Sequence, residues 1–105
     1  MPEPAPISTP QSEPVWAFLK DSDLLLVDNS RLLYALEERV DFGRDKYGTV
    51  LQTHNGRDAL QDAREELLDL VFYAAQAYLE SKLTYARWQD SIESILTLWR
   101  VLGGA

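Results

Sequence analysis

Apolar residues recur at helical spacing through most of the chain, broken by a few stretches that cannot continue a helix. Val15 to Leu19 is a short apolar cluster, one helical turn or a docking segment. Asp23 to Val27, "DLLLV", reads equally as a brief strand or the start of a helix, because so short a run has no resolvable period. Asp28, Asn29 and Ser30 then offer side-chain oxygens able to cap a helix N-terminus. From Arg31 the pattern is helical: Leu32, Leu33, Leu36, Val40 and Phe42 form an apolar stripe, and Gly48 after Tyr47 suits the C-terminal cap.

Thr49 to Gly56 is a loop, marked by the turn dipeptide Asn55-Gly56. Asp58 with Gln61 three residues later predicts a capped helix from about Asp58 to about Lys82. Its apolar positions include Leu67, Leu70, Val71, Ala74, Tyr78 and Leu79. A last amphipathic helix, Thr84 to Leu102, carries Trp88, Ile92, Ile95, Leu96 and Trp99 and is closed by Gly103-Gly104. Only Glu80 to Leu83 join these two helices, so they should pack antiparallel. The fold class expected is all-α, an antiparallel helical bundle with at most one extended piece near Leu24 to Val27.

Composition changes this picture at the N-terminus. Residues 1–14, MPEPAPISTPQSEP, alternate proline with Ser, Thr and Glu, which predicts a disordered or loosely extended tail ahead of one helical domain over 15–105. The stretch lacks the cationic start and apolar centre of a signal peptide. No apolar run approaches the roughly 20 residues of a membrane span, so the chain is expected to be soluble and to need no membrane. There is no cysteine, which excludes disulfides and thiolate metal sites and fits a cytoplasmic protein. A net charge of -7, from 17 acids against 10 bases, disfavours nucleic acid as a partner. Phe72, Tyr73, Trp88 and Trp99 are more large residues than three or four helices need on their inner sides, which predicts a homo-oligomer.

The acids hold the candidate chemistry. At about 100° per residue, Glu37, Glu38 and Asp41 share an arc of about 100° on the first long helix. Asp62, Glu66 and Asp69 fall within about 60° on the second, with Glu65 at the edge. If the helices pack side by side, these carboxylates meet in one cleft, where repulsion must be neutralised. A hard divalent cation with oxygen ligands, Mg²⁺ or in its place Mn²⁺, would do this. Two such ions roughly 3.5–4 Å apart could clamp a phosphate chain and activate water. Lys46 and Arg57, beside the connecting loop, are placed to contact phosphate, with Arg44 a weaker candidate, and Tyr47 is placed to stack on a base. The same spacings also suit a solvated helix face on which Arg39, Arg44 and Arg64 form ordinary surface pairs. His54 stands alone in a turn-rich loop, and neither a nucleophile elbow nor a phosphate-cradling Gly-rich loop is present.

Glu37-Glu38-x-x-Asp41 followed by Glu66-x-x-Asp69 resembles the paired acid motifs of the MazG-like all-α nucleoside triphosphate pyrophosphohydrolases. The segment "RDKYGTVLQTHNGRDALQDAREELLDLVFYAAQAY" is similar to small MazG-like proteins of phages and bacteria that carry K-Y-G, N-G-R-D and E-E-x-x-D. The likeness spans about Leu32 to Tyr78. It implies Mg²⁺-dependent cleavage between the α and β phosphates of a nucleoside triphosphate, in a helical bundle that is a dimer or tetramer. Carried over, Glu38, Asp41, Glu66 and Asp69 would bind metal. Glu37 would be a further ligand or the base for the attacking water, and Glu65 would serve in the same way or face solvent. Asp62 would support the ligands from behind. The first motif departs from the superfamily in having Asp41 where a second glutamate is usual. A non-catalytic relative that binds a nucleotide or protein partner, and a purely structural helical module, are the competing readings.

Overall fold

The computed structural model describes residues 5–22 and 30–104. The segment Asp23 to Val27 and the capping residues Asp28 and Asn29 lie outside the described residues. Among those described there are four helices and no strand: α1 (Val15–Lys20), α2 (Ser30–Tyr47), α3 (Ala59–Leu79) and α4 (Tyr85–Val101). The chain divides into two compact units, one reaching to Arg57 and the other beginning at Asp58, where one domain over 15–105 was expected.

In the first unit, residues 5–14 of the proline-rich stretch, expected to be disordered or loosely extended, hydrogen-bond to the loop over 51–55. Ile7 N–H donates to the Asn55 carbonyl at 2.8 Å, Thr53 N–H to Glu13 at 2.7 Å and Val15 N–H to Leu51 at 2.9 Å. Pro14 and Gln52 form an isolated antiparallel bridge. Proline cannot donate, but at an edge its carbonyl still accepts, and hydroxyls replace the missing amides. The Ser8 hydroxyl donates to Gln52 Oε1 at 2.8 Å, and those of Thr9 and Ser12 reach the His54 carbonyl at 2.9 and 3.2 Å. Gly56 follows the loop at φ 82°, and a Cβ there would meet Ile7 Cγ1 at 3.4 Å.

Helix α2 ends as its glycine suggests: Gly48 adopts φ 75° and its N–H reaches the Arg44 carbonyl at 2.8 Å. Its half-buried residues are Leu33, Leu36, Val40 and Gly43. Leu32 and Phe42, read into the same stripe from sequence, are exposed. Phe42 is instead covered by charge, with the Arg39 guanidinium 4.7 Å and the Lys46 ammonium 5.8 Å from its ring centre.

In the second unit, Asp58 caps α3 by accepting from Gln61 N–H at 3.1 Å, and Thr84 caps α4 by accepting from Arg87 N–H at 3.2 Å. Helix α3 stops at Leu79, short of Lys82, because Ser81 turns into the left-handed region at φ 62° and Lys82 N–H closes back on the Ala77 carbonyl at 2.8 Å. The two helices then run antiparallel. Near the turn, Tyr78 stacks on Trp88 at 5.5 Å and meets Tyr85 edge-on at 5.9 Å. At the other end the Arg64 guanidinium donates to the Leu102 carbonyl at 2.6 Å, satisfying the C-terminus of α4. Arg64 thus acts across the hairpin, where a simple surface pair was one expectation. Only Ala74 and Ile95 are buried among the described residues, and neither completely.

Three stability changes follow. Ser81→Gly relieves the left-handed backbone and is expected to raise stability by about 1 kcal/mol. Gly56→Ala, forced into the same region, should lower it by ~1–2 kcal/mol. Arg64→Met removes the charged cap and should cost about 1–2 kcal/mol. Urea unfolding of the purified variants measures all three.

Candidate functional site

The acids on α2 and α3 share a property that follows from where each helix is covered. On α2, Leu36, Arg39, Val40, Gly43 and Tyr47 line a cavity inside the first unit. Glu37, Glu38 and Asp41 are exposed and, at 100° per residue, centre about 150° away from that lining. On α3, the half-buried and buried residues Ala63, Leu67, Val71, Ala74 and Tyr78 form the stripe against α4. Asp62, Glu66 and Asp69 centre about 130° from it, on the face α4 leaves open. Glu65, Glu66 and Asp69 are exposed there, and Asp62 is half-buried.

That open face of α3 is not an ordinary solvated one. Asp62, Glu66, Asp69 and Tyr73 follow one another at intervals of four, three and four residues, the spacing of a seam between packed helices. Tyr73 is 65% exposed, and the flanking Phe72 and Leu70 are 76% and 45% exposed. Exposed apolar residues thus stand beside the carboxylates on this face. The α2 acids have no such flank on both sides. Tyr34 and Phe42 are exposed nearby, and Asp41 is engaged by Arg44 at 3.4 Å, a screened surface pair of small worth.

Carboxylate oxygens are the right donors for Mg²⁺ or Mn²⁺. Among the described residues, no three Asp, Glu or His side chains converge into a group that could hold a cation. Glu65 accepts from the Gln61 side chain at 3.2 Å, which holds it along the helix. Glu80, at the end of α3, is held below the usual carboxylate range by the Gln76 amide at 3.0 Å and then by Lys82 at 3.2 Å.

The expected substrate contacts divide. Tyr47 and Arg57 line the cavity of the first unit, on the α2 side turned away from Glu37, Glu38 and Asp41. Lys46 does not line it, and its ammonium lies 5.2 Å from the Tyr47 ring centre. His54 is exposed at φ 50°, with Nδ1 3.0 Å from the Thr53 hydroxyl. Arg39, Gly43 and Trp16 are the cavity residues that sequence reasoning missed. The available signal was Leu36, Val40, Gly43 and Tyr47 at i, i+4, i+7 and i+11, a stripe with a notch at its glycine. No protein-family model matches the chain, and neither does any curated protein or solved structure.

The geometry predicts mutual repulsion on the open α3 face. In chelator, Glu66→Gln removes like-charge neighbours at i−4 and i+3 and should raise stability by about 0.5 kcal/mol. Glu80→Gln should go the other way at neutral pH. Because its folded pKa is depressed, the Glu80 contribution is present above the unfolded value and fades as pH falls through the folded one. Thermal melts at neutral and acid pH check both.

Proposed function

We propose that this protein is a Mg²⁺-dependent nucleoside triphosphate pyrophosphohydrolase, cleaving between the α and β phosphates to give a nucleoside monophosphate and pyrophosphate. The single observation behind the reading is the open face of α3, where Glu66 and Asp69 stand in a seam with exposed Phe72 and Tyr73. The acid motifs and their resemblance to the MazG-like enzymes supply the chemistry. In this reading a second copy of the chain provides the missing layer, completing an antiparallel bundle as a dimer or tetramer.

Glu38, Asp41, Glu66 and Asp69 are assigned as ligands. When bound, Mg²⁺ neutralises the phosphate chain and lowers the pKa of a coordinated water. Glu37 holds and deprotonates the attacking water, and Glu65 assists by orienting it. Lys46 offers a mobile ammonium to phosphate oxygens. Tyr47 and Arg57, on the far side of α2 from Glu38 and Asp41, are left to a different ligand.

Turnover of a panel of common and modified nucleoside triphosphates with Mg²⁺ or Mn²⁺ tests the assignment. Pyrophosphate release is expected, with Glu66→Gln and Asp69→Asn slowing it by at least ~100-fold, as for loss of a charge-stabilising group. Mg²⁺ alone, at about 100 times its Kd, should stabilise the wild type by ~2.7 kcal/mol and neither variant. Metal-induced stabilisation without turnover of any nucleotide would instead identify a non-catalytic, metal-binding relative.

A further inference from the structure

The cavity of the first unit belongs to none of the chemistry above. Its volume of about 780 Å³ lies in the range of pockets that enclose a small organic molecule. Four pieces of chain wall it: the N-terminal strap through Ile7, α1 through Trp16, the inner stripe of α2 through Val40, and the loop through Leu51. Its charge is the reverse of the protein's. The chain carries 17 acids against 10 bases, yet among the described residues none that lines the cavity is acidic, while Arg39 and Arg57 both line it. Arg39 lines the cavity, and its guanidinium lies 4.7 Å from the centre of the Phe42 ring.

Gly43 gives the cavity its depth. It sits in the middle of α2, where glycine costs helix stability, and its φ does not require a glycine. A Cβ built there meets nothing within 4 Å. A side chain at this position would project into the open space between α2 and the strap, so the glycine leaves room that packing would otherwise fill.

We propose that this cavity is a binding site for a small organic anion with an apolar body, the body seated among Trp16, Val40 and Leu51 and the anionic group at Arg39. The assignment does not depend on the pyrophosphohydrolase reading, since the lining is on the side of α2 opposite Glu37, Glu38 and Asp41. Charge complementarity selects the anion, and the volume of about 780 Å³ suits a small molecule.

The test uses the full chain and two fluorescent probes of nearly the same rings: anilinonaphthalene sulfonate, which is anionic, and phenylnaphthylamine, which is neutral. The wild type should bind one sulfonate probe per chain saturably and bind the neutral probe at least about ten-fold more weakly. Arg39→Gln should remove that preference by weakening the anion about ten-fold while leaving the neutral probe unchanged. Gly43→Leu puts a side chain on the cavity wall where a Cβ meets nothing within 4 Å and replaces a helix-weakening residue, so it should weaken anion binding about ten-fold with a Tm no lower than the wild type's. Unchanged anion binding in Gly43→Leu would overturn the proposal, because the probe would then sit on exposed apolar surface elsewhere. Equal affinity for both probes in the wild type would overturn it as well.

Discussion

The antiparallel packing of α4 on α3 decides which acids of this chain can do more than face water. A helix offers one stripe to each neighbour, and α3 spends its small and aliphatic stripe, Ala63, Leu67, Val71 and Ala74, on α4. Arg64 locks one end of that contact through the Leu102 carbonyl, and the Tyr78, Tyr85 and Trp88 rings lock the other. With the helix rotation set in this way, Glu66 and Asp69 must emerge on the opposite side, next to Tyr73. Rotating α3 by one position would move the acids toward α4 and place unpaired charge against apolar side chains, which is costly.

The hairpin is also under-filled. Ala74 and Ile95, the two buried residues among those described, make too little core for two helices, while Phe72 and Leu79 are 76% and 79% exposed. A further layer over the open face would bury these residues and would bring company to the carboxylates at the same time. Stability and chemistry therefore ask for the same thing. A cation among the acids would offset the repulsion that such a layer would otherwise trap.

Where a local rule was sufficient, the sequence was readable. Asp58 and Thr84 cap their helices through the bonds that their residue types offer, and Gly48 ends α2 in the left-handed region. The end of α3 was misplaced because Ser81, a non-glycine residue, takes that same conformation. The N-terminal strap was illegible for a different reason. Proline density argues against strand pairing, and the hydroxyls of Ser8, Thr9 and Ser12 find acceptors only once the 52–54 loop is nearby. Arg64 looked like a surface cation because its acceptor, Leu102, is far along the chain. For the site, spacing alone put the acids of each helix on common faces. It did not reveal that Tyr47 and Arg57 line a cavity on the other side of α2, because that depends on where the strap and α1 settle.

The most direct test of the central claim is a crystal structure of the protein with Mn²⁺ and a nucleoside triphosphate analogue that resists α–β cleavage. The account predicts Mn²⁺ bonded to carboxylate oxygens of Glu66 and Asp69 at about 2.0–2.2 Å and bridging to the phosphate chain, with a further protein layer over Phe72 and Tyr73. A structure in which Glu66 and Asp69 are solvated and bare, with Mn²⁺ absent or bound elsewhere, would contradict it.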